Sequence, residues 1–403
     1  MAAKKRKDDD SSTMNFDDIT NILIKDLNKE MGSLVAYNLS CDDAPTNVKR
    51  WLTTSSIQFD YAIRNDDDGG VPEGRIIEIS GLPSTGKSHI AFQLAVTTQR
   101  LGGIVIYIDT ENAVPLTKLK NMGIDVSRNF IYCDTHCTEE VFHIIESTIE
   151  KIKPYREIGK KYPVLVVWDS VAATSPKAEL EGDYDQSTMG LQARTISKAM
   201  RKITGVIGHN DVTFICLNQL RQDINAGKYG DPWTTPGGQA IPYHASLRVK
   251  LTSGTPVYDK AGNVIGIKVI VKIIKNKVAP PFRKFEFKII FGKGIDESEE
   301  LFDVLNDYHK KNGELKFGNT FISCSGDGAW KTFLVRSEGG EVILEKKFYK
   351  QNFTSEVISK PELRELINPL LRAALTVNSD NSFSETELES EDKNPETDGG
   401  GGE

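Results

Sequence analysis

An α/β fold built on a mostly parallel central sheet is predicted by three observations. Short β-branched runs at 75–80, 104–109, 164–169 and 213–218 alternate with helical segments. Such alternation makes parallel strands with helices on both faces, and ligands then sit at the carboxyl ends of the strands. The first run ends in Gly81-Leu82-Pro83-Ser84-Thr85-Gly86-Lys87-Ser88, a loop of the form GxxxxGK[ST] that opens directly into a helix. After residue 240 the strand-like runs crowd together (245–252, 267–274, 284–290), as expected of antiparallel pairs closing one edge. With 403 residues, 38% of them hydrophobic, the chain can build one large domain and a smaller one.

Composition narrows the class. No apolar run approaches ~18 residues and no signal-peptide core follows the N-terminus, so a soluble, intracellular protein without a membrane segment is expected. Five cysteines (Cys41, Cys133, Cys137, Cys216, Cys324) are odd in number and scattered. Cys133 and Cys137 flank His136, but without a second pair they make a poor zinc site, and reduced thiols are expected. The net charge of −7 belongs to one end. Residues 378–403 hold nine acidic side chains and one lysine, so the body of the chain is close to neutral.

The elements follow in order. Residues 1–13 combine Lys4-Lys-Arg-Lys7 with Asp8-Asp-Asp10 and read as a solvated leader. Ile19, Ile22, Leu23 and Leu27 recur at helical spacing over 16–31, and Ser33–Tyr37 reads as a short strand. A lone helix and strand bury little, so this arm must pack on the body or on another subunit. In the Gly-rich loop, the glycines let the backbone wrap around an anion while successive N–H groups and the helix N-terminus face it. Lys87 would reach the β- and γ-phosphates of a nucleoside triphosphate, and the Ser88 hydroxyl would hold Mg2+. Pro83 withdraws one N–H, which leaves the amides from Ser84 onward as phosphate donors. Ile90, Ala91, Leu94 and Ala95 give the following helix its buried face, and Gly102-Gly103 end it.

The strand ends carry the remaining chemistry. Glu111, just past the 104–109 run, is placed to orient and deprotonate a water attacking the γ-phosphate, or is a solvated loop acid. Asp169 closes Val164-Leu-Val-Val-Trp-Asp169 and would reach Mg2+ through water, the other reading being a helix N-cap. Asn218 and Gln219 end a third strand, and Gln219 can touch the γ-phosphate and report it to the loop beyond. That loop, 220–238, reads as long, structureless and Gly-rich; it mixes Arg221 and Lys228 with Tyr229 and Trp233, which suits single-stranded nucleic acid. A second loop, 181–187, leads into a helix from about 188 to 208. Met189, Ala193, Ile196, Met200, Ile203 and Ile207 form its core stripe, with Arg194, Lys198, Arg201 and Lys202 opposite. That basic face is either a solvated face or a polynucleotide contact. Lys275 and Lys277 end another strand and project to one side. They either stabilise phosphate charge as an arginine finger does or are ordinary exposed lysines. Residues 297–377 read as a small lobe with a Gly-rich hairpin at 325–330, and 378–403 as a disordered acidic tail.

Several stretches resemble the RecA family of homologous-recombination ATPases. They are Met189–Lys202, Asp169–Gly182, Thr234–Gly238 and Lys275–Phe282, within a resemblance running from about residue 16 to 296. The resemblance implies a RecA-type P-loop NTPase core over 51–296 with DNA-binding loops. An N-terminal leader and oligomerisation arm (1–50), a small C-terminal α/β lobe (297–377) and the tail (378–403) complete the expected organisation. It implies that Gly81–Ser88 bind ATP, that Glu111 is the catalytic base, that Asp169 serves Mg2+, and that Gln219 couples the γ-phosphate to DNA. The loops 181–188 and 220–238, with Gly237 and Gly238, would line DNA in a helical filament. Met189 and Ile224 would wedge between stretched base triplets. Lys275 and Lys277 would reach ATP on a neighbouring protomer, and residues 16–37 would add a helix and strand to the next subunit. The acidic tail would compete with phosphate for the basic surface.

Three features depart from the family pattern. Lys118 stands where many bacterial members carry a tyrosine that stacks on adenine. Trp233 occupies a commonly acidic position in a loop one residue longer, and Pro115 breaks the local pattern. They point to a divergent relative, with a phage-encoded origin left open. The expected activity is a DNA-dependent ATPase that forms filaments on single-stranded DNA, pairs it with homologous duplex and exchanges strands. Backbone cations (Arg194, Arg201, Arg221) and apolar insertion would supply the DNA affinity. Single-strand-binding and loader proteins are expected partners, and the cytoplasm, at the nucleoid, the expected location. The alternatives are a hexameric RecA-fold helicase or translocase, and a nucleotide-gated single-strand-binding scaffold with little catalysis.

Overall fold

A computed structural model describes residues 16–40, 44, 46–66, 69–158, 162–183, 190–222 and 233–381. It divides into two units, 1–49 and 50–403. In the first unit, helix α1 (Phe16–Met31) aligns Ile19, Ile22, Leu23 and Leu27 on one side. All four are exposed, Leu23 by 56%. The strand expected at 33–37 is absent. The Asn28 amide takes its peptide groups instead. Its Oδ1 accepts from the Val35 and Ala36 N–H groups at 2.7 and 2.8 Å, and its Nδ2 donates to the Ala36 carbonyl at 2.9 Å. Extended backbone needs partners for its polar groups, and here a side chain provides them.

Past a two-residue strand pairing of Trp51–Leu52 with Val71–Pro72, the second unit contains helix α2 (Ile57–Arg64) and strand β1 (Ile76–Gly81), followed by helix α3 (Lys87–Arg100). Strand β2 (Ile104–Asp109), helix α4 (Leu116–Asn121), strand β3 (Phe130–Asp134), helix α5 (Thr138–Ile158) and strand β4 (Val164–Asp169) come next. Helix α6 (Leu191–His209) leads to strand β5 (Val212–Gln219). Two short strands, β6 (Arg221–Gln222) and β7 (Trp233–Thr234), precede helix α7 (Ala240–His244). Strands β8 (Leu247–Tyr258), β9 (Val264–Asn276), β10 (Lys284–Ile290) and β11 (Gly294–Asp296) complete the core. The nine-stranded sheet has the order β11-β10-β9-β8-β1-β5-β4-β2-β3. The six strands from β8 to β3 run parallel, and β8 to β11 pair antiparallel.

Strand alternation sorts the core into two layers. Ile77, Ile79, Tyr107, Leu165 and Val167 face α3 and its buried Ile90, Phe92 and Leu94. Ile106, Ile108, Val166, Trp168 and Phe214 face α5 and α6, meeting Ile145, Ile149, Ile196, Met200, Ile203 and Ile207. With apolar layers on both sides, these strands read as near-continuous hydrophobic runs, which is why they are visible in sequence. Helix α6 begins at Leu191, after Gly190 in the left-handed region (φ +71), rather than at about 188.

A separate apolar cluster fills the C-terminal part. There helix α8 (Ser298–Asn312), strands β12 (Leu315–Phe317), β13 (Thr320–Ser325), β14 (Trp330–Ser337) and β15 (Val342–Tyr349), and helix α9 (Pro361–Asn381) surround Phe302, Phe333, Phe348 and Phe353. Helix α9 thus runs four residues into the segment read as tail. Glu297, just before α8, accepts from Ser56 Oγ at 2.7 Å and from the Ile57 and Gln58 N–H groups at 2.5 and 3.3 Å. Its carboxylate therefore caps the N-terminus of α2 and ties this part to the core.

Candidate active site

The loop between β1 and α3 is shaped around its glycines. Gly86 has φ +90, a conformation L side chains rarely adopt, and a Cβ there would also crowd Ile289 Cδ1 at 2.4 Å. Leu82, Pro83 and Ser84 are exposed, whereas Gly81, Thr85 and Lys87 are buried and Gly86 and Ser88 half-buried. The Lys87 ammonium folds back onto the loop, donating to the Gly81 carbonyl at 3.0 Å and the Leu82 carbonyl at 2.8 Å. Burial lowers its pKa against the attraction of Asp169 and Glu111.

Neighbouring strands bring the other groups to the same rim. Gly81 pairs with Gln219 across β1 and β5, and Asp109 with Asp169 across β2 and β4. The Asp169 carboxylate accepts from Tyr107 Oη at 2.5 Å, with the Ser88 hydroxyl close by. Burial pushes its carboxyl above the usual range, although Tyr107 and Ser88 both pull it down. Glu111 Oε1 accepts from Ser170 Oγ at 2.6 Å and from Gln219 Nε2 at 3.0 Å. Asp109 in turn accepts from the Glu111 N–H at 3.0 Å and from Tyr132 Oη at 2.9 Å, a bond that helps burial raise the Tyr132 pKa to about 12. Glu111, Gln219 and Ser170 thus form one hydrogen-bonded group and Asp169 with Tyr107 another, and both Asp169 and Glu111 act electrostatically on Lys87. Ser170 and Tyr107 escaped the sequence reading. Ser170 directly follows the strand aspartate, whereas Tyr107 inside an apolar run looks like core.

The Ser88 hydroxyl and the Asp169 carboxylate, near each other at this rim, are an all-oxygen pair of the kind a hard cation such as Mg2+ takes. No group of three or more His, Cys, Asp or Glu suited to a metal occurs among the described residues, and Cys133 and Cys137 are free thiols.

The segment after β5 is less irregular than expected. β6 and β7 pair at its two ends, Arg221 opposite Thr234 and Gln222 opposite Trp233. Its first residue, Leu220, donates its N–H to the Gly81 carbonyl at 3.2 Å, the same oxygen that Lys87 contacts. At its far end, Asn218 Nδ2 donates to the Pro236 carbonyl and to Glu78 Oε1, both at 3.1 Å. Gly237 and Gly238 press against α6: a Cβ on either would lie 2.9 Å from Ile196 Cδ1 or Ala193 Cβ respectively. Arg221 is exposed and Trp233 half-buried. On α6, Arg194, Lys198, Arg201 and Lys202 are exposed, and Lys202 pairs with Glu146 at 2.6 Å. Met189, Ile224 and Tyr229 lie outside the described residues.

Lys275 and Lys277 do not join the cluster in their own chain. Asn276 pairs with Leu247, which pairs with Ile77, four residues before Gly81. That offset puts them about 13 Å along the strands from the phosphate loop. The Lys275 ammonium bonds the Pro242 and Tyr243 carbonyls at 2.7 and 2.8 Å, at the end of α7. Burial and the charges of Lys277, Lys275 and Arg201 together lower the His244 pKa, marking a cationic corner there.

A mostly parallel sheet with this loop and these strand-end groups defines a P-loop nucleotide-binding ATPase core. A family model described as the RecA N-terminal domain matches residues 19–296. Protein RecA of a Nitratiruptor species is 39% identical over 283 residues, covering 70% of this chain and 77% of the relative. Protein RecA of Sulfurimonas denitrificans is 37% identical over 67% of this chain and 75% of its own, and that of Wolinella succinogenes 36% over 78% and 85%. The chain belongs to the RecA family.

Proposed function

We propose that the protein is a DNA-dependent ATPase of recombination and repair, which assembles as a filament on single-stranded DNA and exchanges strands with homologous duplex. One observation carries the coupling. The Gly81 carbonyl accepts from both Lys87 Nζ and the Leu220 N–H, so the lysine that meets phosphate shares an oxygen with the root of the segment after β5. A triphosphate in the loop draws Lys87 outward, and Gln219 exchanges its Glu111 contact for the terminal phosphate. Both events act on the residues where the 220–238 segment begins.

Within that reading each residue has a task. Amides from Ser84 to Ser88 hold the phosphates, Thr85 Oγ1 braces the loop through the Leu82 carbonyl at 2.9 Å, and Lys87 balances phosphate charge. Mg2+ would be held by Ser88 and Asp169 and would supply the charge neutralisation that phosphoryl transfer needs. Glu111, positioned by Ser170 and Gln219, orients the attacking water and takes its proton. Arg194, Arg201, Arg221 and Trp233 face the polynucleotide, with Met189, Ile224, Tyr229, Gly237 and Gly238 completing that surface. Lys275 and Lys277 act on the neighbouring protomer's nucleotide, and α1 with 33–37 docks on a second copy. Single-strand-binding and loader proteins are the remaining partners, at the nucleoid in the cytoplasm; no helix among the described residues is long and apolar enough to cross a membrane.

Phosphate release measured against single-stranded DNA concentration tests the function. The rate should rise with DNA and saturate; a rate that stays flat from zero to saturating DNA contradicts DNA dependence.

A further inference from the structure

The C-terminal sheet has the order β12-β13-β14-β15, so β15 is an edge strand of eight residues, whereas the opposite edge, β12, has three. One side of β15 pairs with β14, from Tyr349 opposite Trp330 to Val342 opposite Arg336. On its other side no strand is paired. Among the described residues, the backbone from Ile343 to Phe348 makes no hydrogen bond except to β14. Alternate residues of such an edge direct their N–H and C=O groups outward, which is a template for a further strand.

The two faces of β15 differ. Leu344 and Phe348 turn inward, to the apolar cluster around Phe302 and Phe353. Alternation then puts Ile343, Glu345, Lys347 and Tyr349 on the outer face, and all four are exposed. The Tyr349 ring centre lies 4.2 Å from that of Trp330. Lysines on an edge strand commonly guard it against pairing. Here their charge is already balanced: Lys347 meets Glu345 at 3.2 Å, and Lys346 meets Glu356 at 3.1 Å.

We propose that β15 is a two-fold docking edge for a second copy of this chain, joining two four-stranded sheets into one continuous sheet. One register makes the strand complementary to itself. Set antiparallel about Lys346, two copies place Ile343 opposite Tyr349, Leu344 opposite Phe348 and Glu345 opposite Lys347, each pair twice. Apolar residues then meet apolar residues, and each outer charge meets its opposite. A two-fold axis normal to the sheet keeps outer face with outer face and inner with inner. Lys346 alone faces its own copy, and each is held by its own Glu356. Slipping the register by two residues sets Glu345 against Glu345 in one direction and Lys347 against Lys347 in the other. A two-fold contact closes after two copies, whereas a filament grows by a head-to-tail contact that repeats. Pairing through β15 therefore links protomers of separate filaments, a consequence that rests on the filament reading above; the pairing itself does not.

The test is cross-linking of the full-length protein in solution with a short bis-maleimide, read by mass spectrometry. Lys346→Cys, at the axis, should yield a peptide joining residue 346 to residue 346. Lys316→Cys, on the opposite edge, should yield no 316-to-316 peptide. In the Lys346→Cys background, adding Glu345→Lys or Lys347→Glu sets like charges opposite each other and should lower the yield at least about tenfold. Mixing those two variants in equal amounts restores opposite charges across the pair and should recover the yield. Three results would each overturn the proposal. They are no 346-to-346 peptide, a 316-to-316 peptide in equal yield, and a 346-to-346 yield that ignores the charge reversals and their mixture.

Discussion

At the scale of single residues, Lys87 is the sharpest point of contact between sequence and chemistry. Lys87→Ala should lower ATP turnover at least about a hundredfold, the cost of removing one group aimed at developing charge. Steady-state phosphate release measures this, and turnover within about twofold of wild type would remove Lys87 from the reaction. Asp60 makes a prediction about pH. It is buried and accepts from Thr53 Oγ1, from the Thr54 N–H at 2.8 Å and from Thr54 Oγ1 at 2.7 Å. Burial still raises its pKa to about 7, and the nearby Glu297 adds to the rise. The folded chain therefore keeps a proton that the unfolded chain sheds near pH 4. The stabilisation from this proton is complete below about pH 4 and fades as pH rises through about 7. Asp60→Asn should flatten the fall of the melting temperature between about pH 4.5 and about pH 8. An unchanged slope in thermal melts would show that the carboxyl does not titrate there.

At the scale of elements, the row Glu78–Arg248–Lys275 lies in register across β1, β8 and β9. Glu78 is fully buried and accepts from Arg248 Nε at 2.5 Å and from Asn218. Arg248→Ala strands a buried carboxylate and should cost about 3–5 kcal/mol, whereas replacing both partners with apolar residues of similar size should cost less. Urea denaturation of the two variants checks the order; equal losses would mean the pair is not coupled. Glu78 also marks what the sequence discloses. A charge between Ile77 and Ile79 stands out in an apolar strand, but its partner Arg248 is far along the chain, and only the fold joins them. The parallel strands were legible because both their faces are buried. The phosphate loop was legible because its residues are contiguous. Glu111, Gln219 and Ser170 meet only through strand order, so their contact was not. Ser33–Tyr37 has strand composition but finds its partners in Asn28, and β6 and β7, two residues each, are too short for a periodic signal.

At the scale of the whole molecule, charge and assembly take over. Beyond α9 the chain carries eight carboxylates and one lysine. Truncation after Asn381 should strengthen DNA binding, most at low salt, where opposing charges are least screened. Equal affinities across a salt series would rule out competition by the tail. The exposed Ile19, Ile22, Leu23 and Leu27 of α1 leave the first unit an apolar face, which the proposed docking on a second copy would cover. The central claim is that triphosphate at the strand ends is transmitted through Gly81, Glu111 and Gln219 to the segment that grips DNA. Its most direct test is single-stranded DNA affinity measured with ADP and with a non-hydrolysable ATP analogue, in the wild type and in Gln219→Ala. The wild type should bind at least about tenfold tighter with the triphosphate analogue, and that ratio should collapse toward one in Gln219→Ala. Equal wild-type affinity in both nucleotide states would contradict the account.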